Sequence, residues 1–237
     1  MVCPLKTLAI IPARGGSKRL PGKNVRSFLG VPLIGWSIRF ALKLDRFDKV
    51  VVSTDSDEIA SASRSAGIDV PYLRPAALAS DTASSADVVL DILARERQSQ
   101  RSYDLVALLQ PTSPVREPSR WSEAFAYIDR GDCDAVIGVA PAHAHPFHVF
   151  YWEEGGKLRP FGDPQGVRLR SQDLPPAVYV AGNMYLIRSA VLEGQGTFFP
   201  PRTVGVLCDQ PCEAFDIDTE ADWVAAEALA RHYGKSP

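Results

Sequence analysis

Short apolar runs and helix-spaced apolar repeats take turns along the first half of the chain. Residues 7–11 are apolar and read as a buried strand, as do residues 49–53, 105–109 and 135–139. Between the first two runs, Leu33, Trp36, Phe40 and Leu44 recur at helical spacing, with Ser37 as a polar neighbour. Pro32 stands where a first helical turn would begin. Thr54-Asp55-Ser56 can cap a second helix that ends at Gly67. Residues 84–97 carry a third helical pattern, with Val88, Val89, Ile92 and Leu93 as its apolar face. Pro118 opens a fourth, running to about Asp129. Strands separated by helices of this length predict right-handed βαβ units and a mostly parallel sheet. Ligands of such sheets bind beyond the carboxyl ends of the strands.

The pattern changes after about residue 140. Pro, Gly and His become frequent, and residues 153–157 (Glu-Glu-Gly-Gly-Lys) read as a hairpin turn. Strand character resumes at 179–180 and 184–187, and again at 203–207. Thr219 and Asp222 have capping-box spacing, with Asp in place of Glu, for a last helix ending near His232. One α/β domain over residues 1–237 is expected, with an insertion of short strands at about 140–180.

Bulk properties narrow the function classes. A net charge of −2 over 237 residues gives no global electrostatic case for nucleic acid. No apolar run is long enough to span a bilayer. Residues 1–6 lead straight into a strand without a signal-peptide layout, so the cytoplasm is the expected location. Cys3, Cys133, Cys208 and Cys212 make no disulfide scaffold at this size. Cys208 and Cys212 could form half of a zinc site, but no second Cys or His pair stands at ligand spacing, and all four read as reduced thiols.

The chemistry concentrates in residues 10–24. Gly15, Gly16 and Gly22 are interleaved there with Arg14, Lys18, Arg19 and Lys23, and Arg26 follows. Glycines let a backbone approach a ligand, and turning amides with flanking cations suit a polyphosphate. The loop is not a Walker A motif, because five residues separate Gly16 from Gly22 and Asn24 follows Lys23. It does not fit G-x-G-x-x-G either. The bland alternative is a basic surface turn. Ser53-Thr54-Asp55 and residues 110–113 (Gln-Pro-Thr-Ser) are expected on the same sheet edge.

Farther along, Asp216 and Asp218 share a face if extended, and paired carboxylates suit Mg²⁺. An Asp-rich turn before a capped helix is the alternative. His143, His145 and His148 could hold a metal or line a substrate or interface loop. Phe198 and Phe199 could wall a ligand or anchor a loop. Arg168 and Arg170 share a face if extended; they suit a substrate carboxylate, or are simply solvated.

Four ordered motifs carry a family resemblance: residues 11–18 through Lys23-Asn24, then Leu73-Arg74-Pro75, residues 109–114 (Leu-Gln-Pro-Thr-Ser-Pro), and Asp216-Ile217-Asp218. Over almost its whole length the chain resembles the acylneuraminate cytidylyltransferases, or CMP-sialic acid synthetases. The resemblance implies a Rossmann-like nucleotidyltransferase fold and a homodimer, with the 140–180 insertion contributing to dimerisation and reaching toward the partner's active site. It implies that CTP and a nine-carbon 2-keto sugar acid give the CMP-sugar and pyrophosphate. Carried over by motif, Arg14, Lys18 and Lys23 would hold the triphosphate, within the nucleotide-binding loop that includes Gly15 and Ser17. Asn24, Arg74 and Ser84 or, fitting better, Ser85 would place the nucleotide. Gln110, Arg170, Tyr185, Phe198 and Phe199 would shape the sugar site, and Asp216 and Asp218 would hold Mg²⁺.

The departures lie on the sugar side. Ala181-Gly182 stands where many relatives have Asn-Gly, and His148 where some have lysine. Arg170 is one residue from the family's arginine position, which falls at Ser171. A pseudaminic or legionaminic acid, a GTP-using member, a glycosyltransferase with an Asp-x-Asp motif and a nucleotide-sensing module remain as alternatives.

Overall fold

The computed structural model describes residues 5–237; residues 1–4, with Cys3 and most of the stretch read for a signal peptide, lie outside the described residues, as does the Ser171 side chain. The chain opens with β1 (Thr7–Pro12), the small hairpin β2 (Ser27–Phe28) and β3 (Val31–Pro32), α1 (Leu33–Lys43), β4 (Lys49–Ser53) and α2 (Asp57–Ser65). Next come α3 (Ser85–Gln98), β5 (Leu105–Leu108), α4 (Pro118–Asp129) and β6 (Ala135–Pro141). A second hairpin follows, β7 (Phe150–Trp152) and β8 (Leu158–Pro160). The long β9 (Val178–Arg188), α5 (Ser189–Gln195), β10 (Thr203–Leu207) and α6 (Glu220–His232) complete the chain.

Six strands form one sheet in the order β10-β6-β9-β5-β1-β4. All neighbours run parallel except β9, which lies antiparallel between β5 and β6. Helices cover both faces, which is why β1 reads as a continuous apolar run. Ala9 and Ile11 face a core with Ile34, Ile38, Trp121 and Phe125. Leu8 and Ile10 face the other core, with Val88, Val89, Ile92 and Leu192.

Local signals act as read. Ser56 caps α2 by accepting from the Ile59 amide, and Ser84 and Thr219 form capping boxes with Asp87 and Asp222. Residues 153–157 close the β7–β8 hairpin, with the Glu153 amide donating to the Lys157 carbonyl. One reading changes. The strand pieces at 179–180 and 184–187 belong to a single strand, β9, whose pairing with β6 shifts register between Ile137 and Val139. Gly182 interrupts the pattern there. Its φ is +79°, and a Cβ would lie 2.7 Å from the Ser113 Oγ, so only glycine fits.

A third, smaller core positions the chemistry. Leu20 of the basic loop and Ile217 between the two aspartates are buried with Phe28, Leu33, Trp36 and Trp223. The phosphate-type loop and the Asp pair, almost the whole chain apart, are thereby fixed against one another.

Candidate active site

The basic loop leaves the carboxyl end of β1, and its Gly15 is wedged against the start of α2. The Gly15 amide donates to Asp55 Oδ1 (2.8 Å), and a Cβ on Gly15 would lie 2.9 Å from the Ser56 Cβ. Two adjoining clefts follow the loop. One, of about 270 Å³, is lined by Arg14, Lys23, Asn24, Arg74, Ser84, Ser85 and Gln110, among others. The other, of about 290 Å³, is lined by Arg14, Ser17, Lys18, Arg19, Lys23, Asn24, Asp81 and Asp218. The residues expected around a nucleotide and its phosphates thus share one continuous depression.

Lys23 is nearly buried. Its ammonium donates to the Ile217 carbonyl (2.8 Å) and to Asp218 Oδ1 (2.9 Å), while Arg19 pairs with Asp218 Oδ2 (2.8 Å). Asp216 is exposed and Asp218 half-buried on either side of fully buried Ile217. Asn24 donates from Nδ2 to the Arg14 carbonyl, while its buried Oδ1 has no partner among the described residues. An orphaned acceptor in a cleft is matched to a ligand donor. Ser84 is committed to its capping box, which leaves the Ser85 hydroxyl for a ligand.

Sequence reasoning missed Asp81. It bridges Arg14 (2.8 Å) and Lys18 (2.6 Å), and hydrogen bonding to Lys18 holds its pKa below the usual range. Asp81 occupies the cations as a bound anion would. No spacing tied it to the loop, because Arg14 and Asp81 meet only in the fold. Ser53-Thr54-Asp55 buttresses the clefts rather than lining them. Arg74 donates from Nε to Ser53 Oγ (3.0 Å), from Nη2 to the Ser53 carbonyl and from Nη1 to the Leu78 carbonyl (3.3 Å). Burial lowers the Arg74 pKa, with Asp55 opposing.

The Tyr185 ring packs edge-on against Phe198 (5.5 Å) and Phe199 (6.3 Å). Burial raises the Tyr185 pKa, and Asp216 adds to it. Phe198 is buried in the core, as a loop anchor would be, whereas Phe199 is exposed. Arg170 lies apart from this cluster, exposed and paired with Asp173 (2.7 Å). Arg168 closes a 3-10 turn, so the two do not lie along one extended strand face. His143 contacts the Tyr179 hydroxyl (3.2 Å) and His145 contacts the Pro175 carbonyl (3.0 Å). Among the described residues no cluster of three or more His, Cys, Asp or Glu side chains could hold a metal, so the histidines form no such centre.

Behind the aspartates, the turn Pro211–Ala214 buries Cys212 and Glu213. Burial pushes the nearby Cys208 thiol up to about 11, which makes it unreactive. Both Glu213 carboxylate oxygens lack hydrogen-bond partners; Arg120 Nε is 4.0 Å away, and burial raises the Glu213 pKa above its ordinary 4.5. The folded state therefore holds a proton that the unfolded chain releases. This contribution to stability is fully present below about pH 4.5 and is lost as the pH rises through the folded pKa. Glu213→Gln, which carries no proton to lose, should gain in stability on the parent as pH rises above about 4.5. Urea midpoints at pH 5 and 7 test this; a parent that gains on the variant with pH would contradict it.

A three-layer α/β fold with a cationic cleft at the carboxyl edge of its sheet defines a nucleotide-binding protein of the nucleotidyltransferase class. The family model described as Cytidylyltransferase matches residues 8–149, and the chain belongs to that family. It is 35% identical to the CMP-N,N'-diacetyllegionaminic acid synthase of Legionella pneumophila, covering 95% of this chain and 96% of that protein. It is 36% identical to a pseudaminic acid cytidylyltransferase of Campylobacter jejuni with the same coverage. Its fold matches that of CMP:2-keto-3-deoxy-manno-octonic acid synthetase, solved with CTP, at a TM-score of 0.70 and 19% identity, covering 96% of this chain and 99% of that one. Among the described residues no helix is long and apolar enough to cross a membrane.

Proposed function

We propose that this chain activates a nonulosonic acid with CTP, giving the CMP-sugar and pyrophosphate. The observation that carries the reading is the pairing of the basic loop with Asp218 through nearly buried Lys23, in a cleft that also holds an orphaned Asn24 acceptor. Full-length relatives named for CMP-legionaminic and pseudaminic acid chemistry support the substrate class. In this reaction the anomeric hydroxyl of the sugar acid attacks the α-phosphorus. The new C–O–P link forms as the bond to the β-phosphate oxygen breaks, the hydroxyl proton is lost and pyrophosphate leaves.

Arg14, Lys18 and Lys23 offset the triphosphate charge, with the phosphates displacing Asp81 from Arg14 and Lys18. Asn24 and Ser85 orient the nucleotide, and Gln110, Tyr185 and Phe199 bound the sugar. Asp216 and Asp218, which flank buried Ile217, would hold Mg²⁺ as hard oxygen donors once Asp218 gives up its contact with exposed Arg19. Bound there, Mg²⁺ would offset charge on the leaving pyrophosphate. Use of free CTP supports a cytoplasmic reaction. Pyrophosphate release on screening CTP and GTP against sialic, legionaminic and pseudaminic acids tests the reading and identifies the acceptor. No release from any combination would sink it.

The insertion supports a homodimer. Trp152 is 79% exposed on the β7–β8 hairpin, directly across the ladder from exposed Leu158, a surface that a second copy would cover. Trp152→Glu should weaken self-association at least about tenfold in sedimentation; unchanged association would exclude the hairpin from the interface.

A further inference from the structure

Arg116 is the least expected cation in the molecule. It is buried, and no carboxylate pairs with it among the described residues; burial alone pulls its pKa down to about 9. An unpaired buried charge is costly unless hydrogen bonds satisfy it. Here they do. Nη2 donates to the Gln110 carbonyl (2.6 Å), Nε to the Asn183 carbonyl (2.8 Å), and Nη1 to Ser37 Oγ (3.0 Å) and the Pro114 carbonyl (3.4 Å).

These acceptors belong to three separate segments. Ser37 is on α1, Gln110 and Pro114 are on the loop after β5, and Asn183 is on β9 beside Gly182. Gln110 lines the nucleotide cleft, and a Cβ on Gly182 would lie 3.5 Å from its Oε1. Tyr185 stands two residues beyond Asn183 on the same strand. The guanidinium therefore clamps the backbone of the two segments that carry Gln110 and Tyr185. A planar fork is needed for this, since one ammonium cannot reach acceptors in all these directions.

We propose that Arg116 is a positioning residue for the sugar-acid half of the site, setting the Gln110 loop against the β9 bulge. The proposal rests on the reading of Gln110 and Tyr185 as sugar-side residues. A disturbed clamp should raise the KM for the sugar acid while leaving the KM for CTP close to that of the parent, because Arg14, Lys23 and Asn24 are held by other contacts.

Arg116→Lys keeps the charge and loses the fork. It should raise the sugar-acid KM about tenfold or more and the CTP KM less than about threefold, with millimolar guanidinium ion restoring part of the loss. In a Gln110→Ala background the same substitution should add less than it costs in the parent, because the Gln110 side chain that the clamp positions is already absent. Ser37→Ala, which removes one distant acceptor, should shift the same KM in the same direction by about two- to fivefold, and it decides the matter if Arg116→Lys does not fold. An unchanged sugar-acid KM in a folded variant, or equal changes in both KM values, overturns the clamp. An inactive parent overturns instead the functional reading on which it rests, and the clamp's sugar-side role falls with it.

Discussion

Asp218→Asn should lower turnover by about three orders of magnitude while the protein stays folded. The carboxylate has two tasks. It accepts from Lys23 and Arg19, and in the proposed reaction it would be one of two oxygen donors to a divalent cation. Asparagine keeps the size and one oxygen but loses the charge, so both tasks suffer together. The side chain is about one-third exposed, and ion pairs of that kind contribute about 1 kcal/mol or less to stability. Steady-state rates with a Mg²⁺ titration, alongside thermal unfolding, separate these effects. The expected variant melts near the parent and needs far more Mg²⁺. Turnover within tenfold of the parent would remove Asp218 from the reaction centre.

Lys23→Met should cost about a hundred- to a thousandfold in kcat/KM for the nucleotide, whereas Lys18→Met should cost about tenfold or less. The difference follows from burial. The Lys23 side chain is 10% exposed and held by the Ile217 carbonyl and Asp218, so its charge acts at a fixed point with little solvent screening. The Lys18 side chain is 78% exposed and held only by Asp81, so water and salt weaken it. Methionine matches the length of the lysine stem, so packing around Leu20 and Ile217 is retained. Initial rates over a range of CTP concentrations, at low and high salt, check the ranking. A larger loss at Lys18 would reverse it.

Much of this was legible in the chain. The apolar runs and caps located most elements to within a residue or two, because capping and two-sided burial are local or compositional properties. The basic loop suggested a polyphosphate site, since glycines and cations at that density suit phosphates. The gathering of its residues into one cleft was less legible. Asp81 meets Arg14 and Lys18 across 60-odd residues, and nothing in the spacing of the run at 81–85 points to them. Arg116 stands just past a motif that was recognised, yet its role depends on a carbonyl of β9. Arg170, expected on the sugar side, is paired in the structure with its neighbour Asp173, a contact that residue type alone does not announce.

By itself the sequence determined the α/β class, the order of elements, the phosphate-type loop and the pairing of two aspartates around one apolar residue. Each follows from periodicity, turn chemistry or residue type over a few positions. Only the tertiary structure decided that β9 enters the sheet antiparallel between β5 and β6, bringing Tyr185 and Gly182 beside the Gln110 loop. It alone decided that Leu20 and Ile217 share a core and so hold Lys23 against Asp218. Both depend on long-range packing, in which residues far apart become neighbours only when their apolar partners are buried together.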